Sequence, residues 1–188
     1  LKRLEYRGYD SAGLALICDG ALLVEKAAGK IAALEAQIGQ NLPSAVTGIA
    51  HPRWATHGAP TTRNAHPHTD CTNPVAVVHN GIIENAAILR AKLLEKGHTF
   101  SSDTDTEVLA HLVEEFYKGT LAEAVAAALR EVDGTYGIAV VSTKEPDTIV
   151  AARLGSPLLV GLGNGENFIA SDPSAILQHT RSVIYLGE

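Results

Sequence analysis

The segment HPRWATHG, residues 51–58, concentrates side chains that could act on a small polar ligand. It holds a guanidinium, the only tryptophan of the chain, a hydroxyl and two imidazoles: Arg53, Trp54, Thr56, His51 and His57. Arg53 offers a planar fork of donors that suits a carboxylate. Because Gly58 and Pro60 end any regular element nearby, we predict a loop that follows a strand at 46–50 and binds something small and polar.

A second candidate site lies at Asn80-Gly81, directly after the apolar run 75–79. This run predicts a buried strand that ends at Asn80. At a strand end, the side-chain amide of Asn80 and the backbone N–H of Gly81 would together form an oxyanion hole. The alternative interpretation is a simple Asn-Gly turn without a chemical role.

Asp103 and Asp105 flank Thr104 at the predicted start of a helix. Carboxylates at such a position are stabilised by the helix dipole, which would explain one of them without any ligand. The second is then available to reach into a cleft and accept hydrogen bonds from an ammonium group. A guanidinium for a carboxylate and a carboxylate for an ammonium would recognise a free α-amino acid.

Histidines and cysteines raise two further possibilities. Five of the eight histidines fall between residues 51 and 79, with His66 and His68 as the closest pair, so a histidine-metal hydrolase is an alternative. Zinc-type ligand spacing is absent from this stretch and its prolines exclude a helix, so we predict no metal site and no cofactor.

Neither Cys18 nor Cys71 has the setting of an activated nucleophile. Two cysteines are too few for a disulfide framework, which favours a reducing cytoplasm.

Composition narrows the possible partners of the chain. Its 188 residues suit one domain, and a net charge of -6 with scattered Lys and Arg excludes a nucleic-acid surface. No apolar run approaches the roughly 20 residues that span a bilayer, and no signal peptide is present, so we predict a cytoplasmic protein without membrane contact.

The hydrophobic periodicity predicts an α+β fold. Runs 14–18 and 21–26 around Asp19-Gly20 predict a hairpin, and the last third reads as successive strands. Helices are predicted over 30–40 and 84–96, and capping boxes of Thr104 with Glu107 and of Thr120 with Glu123 predict two more. This order indicates two packed antiparallel sheets flanked by helices.

Five runs together carry a resemblance to a known family. They are LEYRGYDSAG at 4–13, RWATHG at 53–58, NAHPH at 64–68, VHNGIIEN at 78–85 and TDTE at 104–107. The chain thereby resembles the glutamine amidotransferase domain of glucosamine-6-phosphate synthases, and more loosely that of amidophosphoribosyltransferases. The resemblance implies an N-terminal nucleophile hydrolase fold, a four-layer αββα sandwich with two antiparallel sheets.

The resemblance also implies roles for individual residues. Arg53 and Thr56 would bind the α-carboxylate of L-glutamine, and Asp105 and Gly81 its α-ammonium. Asn80 and the Gly81 N–H would form the oxyanion hole. Trp54 and His57 would belong to a loop that closes over the ligand. Further members of the site would be His66 and Arg7.

The nucleophile of this family is an N-terminal cysteine, which this sequence does not contain. We therefore expect residues 1–188 to be a class II amidotransferase domain without its first strand, most of its first helix and its C-terminal end. Sugar isomerase domains of the same parent chain would follow, and the parent enzyme would be a homo-oligomer. Pro52 stands where the family usually has threonine.

The expected activity follows from this resemblance. The parent would release ammonia from L-glutamine and transfer it to fructose 6-phosphate to give glucosamine 6-phosphate, whereas the fragment alone would be inactive. A noncatalytic module that binds an amino acid is the alternative from another class of protein.

Overall fold

A computed structural model describes residues 1–39 and 42–187. Within these ranges the helices are α1 (Ile31–Ile38), α2 (Ala86–Glu95), α3 (Thr106–Phe116) and α4 (Leu121–Leu129), with 3-10 turns at Lys2–Arg7 and Pro173–Ala175. The strands are β1 (Ser11–Cys18), β2 (Ala21–Ala28), β3 (Thr47–Arg53), β4 (His68–Thr69), β5 (Val75–Ile83), β6 (Gly134–Ser142), β7 (Ile149–Leu154), β8 (Leu159–Leu162), β9 (Asn167–Ala170) and β10 (Val183–Tyr185).

The first sheet has the strand order β2-β1-β3 and is antiparallel throughout. Its predicted hairpin is confirmed, because Asp19 and Gly20 both have positive φ, 50° and 77°, as a tight two-residue turn requires. Strand β3 continues through Pro52 to Arg53, past the predicted strand end at residue 50. Proline is tolerated there because β3 is an edge strand, where a backbone N–H is not needed on the open side.

The second sheet has the order β4-β5-β6-β7, and its long central strand corrects a prediction. Strand β5 does not end at Asn80 but continues to Ile83, with Asn80 opposite Gly137 and Gly81 opposite Tyr136 in β6. The ladder with β6 holds both residues in an extended strand, whereas a turn would have reversed the chain here. Asn80 and Gly81 are therefore held on a rigid strand.

Three apolar clusters define the layers. Ala15, Ile17 and Ile49 of the first sheet pack on Ala76 and Val78 of the second. Helix α1 covers the outer face of the first sheet, and helices α2, α3 and α4 cover the outer face of the second. The order of layers is helix, sheet, sheet, helix, so the predicted four-layer αββα sandwich is confirmed.

The helix boundaries follow local capping chemistry. The predicted capping box at Thr120 and Glu123 is present at the start of α4. Only half of the second predicted box is present: Thr104 Oγ1 accepts from the backbone N of Glu107 at 3.4 Å, but the carboxylate of Glu107 accepts hydrogen bonds from Ser101 and Ser102 instead of from the backbone of Thr104. Helix α1 is shorter than predicted, and residue 40 of its predicted span lies outside the described residues.

The last strands form a third, smaller sheet with the order β10-β8-β9. The sequence pattern predicts these strands but does not assign them to a separate sheet. They are short and surround a small core of their own, which contains Leu159, Ala170 and Ile176. Over residues 1–39 and 42–187, no helix is both long and apolar enough to cross a bilayer.

Candidate active site

A cavity of about 480 Å³ lies where β3, β5 and the start of α3 approach one another. It brings together most of the site residues predicted from the sequence. Those lining it are Arg7, Arg53, Trp54, Thr56, His66, Asn80, Gly81 and Asp105. Neither Cys18 nor Cys71 lines this cavity. Groups separated by up to about a hundred residues in sequence therefore form one site.

Two opposite charges line the cavity. Arg53 ends β3 and is 3% exposed, and Asp105 is the N-cap residue directly before α3 and is 8% exposed. Among the described residues no salt bridge joins them. Burial lowers the pKa of Arg53, while the negative charges of Asp105 and Asp10 act in the opposite direction. The cavity thus holds a separated cation and anion, as a zwitterionic amino acid requires.

Asp105 is positioned by the backbone of the neighbouring strand. Its Oδ2 accepts a hydrogen bond of 2.9 Å from the backbone N of Ile83, at the end of β5. Asp103, the other candidate at this helix start, instead forms an exposed ion pair with Arg63 and accepts from the side-chain amide of Asn64. The structure therefore assigns the cavity position to Asp105 and a surface position to Asp103.

The predicted loop is present at residues 54–60, and the side chain of Arg53 hydrogen-bonds its backbone. Its Nη2 donates to the carbonyls of His57 and Gly58, and its Nη1 donates to the carbonyl of Ala59 at 3.4 Å. An arginine has five N–H donors, so these contacts leave donors for a ligand carboxylate. Arg53 thus has a second role that the sequence did not indicate, because it lines the cavity and also hydrogen-bonds the backbone of the loop.

The outer part of the loop is exposed. Trp54 is 56% exposed, and its indole makes an edge contact with the ring of Tyr9 at 5.3 Å. The backbone N of Ala55 donates to Asp10 Oδ2 at 2.8 Å. The His57 side chain is exposed and does not line the cavity, in contrast to Thr56. Participation of Trp54 and His57 in a closing loop stays a prediction.

A chain of two buried histidines orients Asn80. His51 Nε2 lies 3.0 Å from Asn80 Oδ1, and His51 Nδ1 lies 3.2 Å from His66 Nδ1. Since Asn80 Oδ1 is only an acceptor, His51 must donate from Nε2 and accept on Nδ1 from His66. The amide NH₂ of Asn80 is then the group left to face a ligand. Burial lowers the pKa of His51 to about 4 and that of His66 well below 6.5, so both rings are neutral at pH 7.

This burial predicts a loss of stability in acid. Unfolded histidine has a pKa near 6.5, so between pH 6.5 and about 4 the unfolded chain binds a proton that folded His51 does not. The free energy of unfolding should therefore fall as the pH falls through this window, by about 2 kcal/mol at pH 5 from His51 alone. We expect His51→Gln to remove this part of the difference between urea unfolding at pH 7.5 and at pH 5.

The matched control is His57→Gln, which removes an exposed histidine of the same segment and so tests whether the change in pH dependence is specific to His51. Burial raises the pKa of Asp70 to about 6, so Asp70 increases the free energy of unfolding as the pH falls, opposite to His51. Because wild type and His51→Gln both contain Asp70, the difference between them reports His51. A pH dependence that His51→Gln leaves unchanged would show that folded His51 is not held neutral.

Gly81 is required by the backbone at this point of β5. Its φ is 139°, and a Cβ atom there would lie 2.0 Å from the carbonyl O of Thr135 and 2.9 Å from His79 Nε2. The same His79 ring contacts the Thr106 hydroxyl at 3.0 Å and the Thr135 carbonyl at 3.1 Å, so it ties β5 to α3 and β6. This packing presents Asn80 and Gly81 side by side on the cavity wall.

Arg7 lines the cavity and His68 lies near it, and both side chains have partners within the protein. Arg7 Nη1 donates to the backbone and side-chain oxygens of Ser171, and it lies 3.9 Å from the carboxylate of Asp172. His68 Nε2 lies 3.0 Å from the Thr104 hydroxyl, and its ring stacks edge-on against His66. These contacts account for the His66-Pro67-His68 pair as part of a hydrogen-bonded core.

Three residues have supporting roles that were not predicted from the sequence: His51, Asp10 and Asn64. The Asn64 amide donates to the carbonyl of Ala59 at 3.0 Å, so it holds the far end of the loop. Asn64 and Asp10 belong to the runs NAHPH and LEYRGYDSAG, which carry the family resemblance but do not by themselves indicate a support for the loop. His51 stands out in the sequence as a member of the segment 51–58 and of a histidine cluster, and neither pattern indicates its contact with Asn80.

Comparison with known proteins gives consistent relatives. The chain is 56% identical to the glutamine–fructose-6-phosphate aminotransferase (isomerizing) of Symbiobacterium thermophilum and 53% identical to that of Streptomyces coelicolor. Each alignment covers 100% of this chain but 31% of the relative, so the chain spans less than a third of those proteins. Among solved structures, the glutamine phosphoribosylpyrophosphate amidotransferase of B. subtilis, complexed with ADP and GMP, superposes with a TM-score of 0.81 at 27% identity, over 98% of this chain and 40% of that one.

The family assignment rests on a match that spans most of the site. The sequence pattern of the glutamine amidotransferase domain matches residues 52–178, a stretch that contains Arg53, Asn80, Gly81 and Asp105. The fold agrees with that of the amidotransferase of solved structure. The chain therefore belongs to the glutamine amidotransferase domain family.

Proposed function

We propose that this chain is the glutaminase domain of a glutamine–fructose-6-phosphate aminotransferase and that its cavity binds L-glutamine. The observation that carries the proposal is that Arg53 and Asp105, both buried, line the same cavity. No salt bridge joins them among the described residues, so both charges are available to a ligand. The two charges match the α-carboxylate and α-ammonium groups of a free amino acid. The identity of 53–56% to named aminotransferases supports glutamine as that amino acid.

Five residues of the cavity have distinct parts in this proposal. Arg53 and the Thr56 hydroxyl bind the α-carboxylate, and Asp105 binds the α-ammonium with help from the backbone of Gly81. The side-chain amide of glutamine then extends toward Asn80. When a nucleophile attacks that amide, negative charge develops on its oxygen, and the Asn80 NH₂ and the Gly81 N–H stabilise it. Removing one such donor typically costs about 2.7 to 4 kcal/mol of barrier.

The attacking group is assigned through the family resemblance. In these enzymes an N-terminal cysteine attacks the amide, and its own α-amino group serves as the base. Cys18 lies in β1 and Cys71 after β4, and neither lines the cavity, so we assign neither as the nucleophile. The residues of this chain bind and orient glutamine and stabilise the oxyanion, and the loop at 54–60, with Trp54 and His57, closes over the ligand.

The activity of the parent protein is a further part of the proposal. The chain covers 31% of the length of its curated relatives, so we propose that residues 1–188 form one amidotransferase domain of a longer protein. Sugar isomerase domains of the same parent chain would receive the ammonia and convert fructose 6-phosphate to glucosamine 6-phosphate, in a cytoplasmic homo-oligomer. Transfer to phosphoribosylpyrophosphate is less well supported, because identity to that amidotransferase is 27%.

Calorimetry with capped ligands tests the glutamine site. L-Glutamine should bind this chain, whereas N-acetyl-L-glutamine, which lacks the ammonium, and L-glutamine α-methyl ester, which lacks the carboxylate, should each bind at least about tenfold more weakly. L-Glutamate is the control for the side-chain amide. Equal binding of the capped and uncapped ligands would overturn the assignment of Arg53 and Asp105.

A noncatalytic amino-acid-binding module remains the competing function. The complete gene product distinguishes the two, because an amidotransferase should release glutamate from L-glutamine and form glucosamine 6-phosphate when fructose 6-phosphate is added. Binding of L-glutamine without glutamate release from the complete, correctly processed protein would favour the noncatalytic module.

A further inference from the structure

A second group of reactive side chains lies outside the cavity. It consists of Cys71, His98, His111 and Glu114, named here the Cys71 cluster. Cys71 is in the connection between β4 and β5, His98 is between α2 and α3, and the other two are on α3. None of the four lines the glutamine cavity. One ligand atom from each residue lies within 4.8 Å of every other.

The distances within the Cys71 cluster match the edges of a small tetrahedron. Cys71 Sγ lies 3.6 Å from His98 Nδ1 and 3.5 Å from His111 Nδ1. Glu114 Oε2 lies 3.1 Å from His98 Nδ1 and 3.4 Å from His111 Nδ1. Zinc bonds of about 2.3 Å to sulfur and about 2.0 Å to nitrogen or oxygen give tetrahedral edges of roughly 3.5 Å and 3.3 Å. Four of the six edges of such a tetrahedron are therefore already present.

The outer nitrogens of both histidines face carboxylates. His98 Nε2 lies 3.3 Å from Glu115 Oε2, whereas His111 Nε2 lies 3.8 Å from Glu107 Oε1, beyond hydrogen-bond reach, and has no hydrogen-bond partner among the described residues. The contact with Glu115 fixes the proton of His98 on Nε2 and turns the lone pair of its Nδ1 toward a metal. At His111 the negative charge of Glu107 favours the same position of the proton without a hydrogen bond. Glu107 is itself held by Ser101 and Ser102, so the carboxylate behind His111 is fixed in place.

Proton accounting within the Cys71 cluster points to a cation. With protons on the outer nitrogens, both Nδ1 atoms and Glu114 Oε2 present lone pairs to one another. A thiol proton on Cys71 can satisfy only one of them. Glu114 Oε2 also accepts from the backbone N of Cys71 at 3.2 Å, so this loop is already anchored to α3. A divalent ion would satisfy all four ligand atoms together.

We propose that Cys71, His98, His111 and Glu114 bind one Zn²⁺ in tetrahedral geometry. Thiolate with imidazole and carboxylate is a ligand set that suits zinc better than magnesium or calcium. On binding, Cys71 loses its thiol proton to solvent and its sulfur bonds to the ion, with no change in oxidation state. The ion would join the β4–β5 connection to helix α3, which directly follows Asp105, and so would have a structural role.

Metal titration of the whole chain tests the site. After removal of metal by chelation, the protein should bind one equivalent of Zn²⁺ with a Kd below about 1 µM, measured against a chromophoric chelator. Co²⁺ should give the visible absorption of a tetrahedral site and a thiolate charge-transfer band in the near ultraviolet. Zn²⁺ should also raise the urea midpoint, since it binds only the folded protein.

Two substitutions compare the cysteines directly. Cys71→Ser should weaken Zn²⁺ binding at least about tenfold and abolish the charge-transfer band and the rise in urea midpoint. Cys18→Ser is the matched control and should bind as the wild type, because Cys18 lies in β1, away from the Cys71 cluster. Glu115→Gln, which leaves all four ligands in place, should weaken binding about tenfold.

The proposal is overturned if the chelated wild type binds no Zn²⁺. It is also overturned if Cys71→Ser binds with wild-type affinity, or if Cys18→Ser loses binding to the same degree. Because Cys71 is exposed, Cys71→Ser should fold, and its urea midpoint without metal should equal that of the metal-free wild type.

Discussion

Asp105→Asn is expected to weaken the binding of L-glutamine by about 100-fold. The substitution keeps an oxygen that can accept from the backbone N of Ile83, so the start of α3 should stay in place. It removes the negative charge that we propose for the ligand ammonium. Loss of one partner from a buried, charge-assisted contact costs about 3 kcal/mol, which corresponds to about 100-fold in Kd. Calorimetric titration with L-glutamine measures the change.

Asp103→Asn is the matched control for this prediction. Asp103 begins the same helical region but pairs with Arg63 at the surface, outside the cavity. Its substitution should change the affinity for glutamine less than about twofold, because exposed ion pairs contribute little. Similar losses in the two variants would mean that the general field of the helix start, and not a direct contact of Asp105, favours the ligand.

Gly81→Ala is expected to destabilise the fold by about 2 to 6 kcal/mol. A Cβ atom at this position would lie 2.0 Å from the carbonyl O of Thr135, which belongs to the neighbouring strand and cannot rotate away. Overpacking costs about 1 to 3 kcal/mol, and an unfavourable backbone conformation at φ 139° adds a similar amount. Urea unfolding monitored by the fluorescence of Trp54 and by circular dichroism measures the loss.

Gly165→Ala separates the two contributions. Gly165 also has a positive φ, 75°, but nothing lies within 4 Å of the position of its Cβ. Its substitution should cost only about 1 to 2 kcal/mol, the cost of a left-handed backbone alone. If Gly81→Ala were no more destabilising than Gly165→Ala, the close approach between β5 and β6 would not be what requires glycine at residue 81.

Local sequence patterns predicted the fold well where one element settles its own structure. The Asp19-Gly20 hairpin and the capping box at Thr120 depend on residues close in the chain, and both are confirmed. The strand end at Asn80 was predicted wrongly, because Asn-Gly is a turn signal only when no partner strand is present. Strand β6 comes more than fifty residues later, and its pairing decides the matter.

The candidate site shows the same division. The chemical types of Arg53, Asn80 and Asp105 are enough to indicate an amino-acid ligand, and all three side chains line one cavity. Their local pattern leaves the choice between Asp103 and Asp105 open, since both lie at one helix start. That choice follows from which side chain faces the end of β5, a matter of packing that residue spacing does not contain.

By itself the sequence determined the chemical groups, the α+β class and the family of this chain, because periodicity and motifs are properties of neighbouring residues. Only the tertiary structure decided that His51 orients the Asn80 amide and that Arg53 hydrogen-bonds the backbone of the loop at 54–60. It alone also placed Cys71 beside His98 and His111. These contacts join side chains that different elements carry, and their distances are set by how sheets and helices pack.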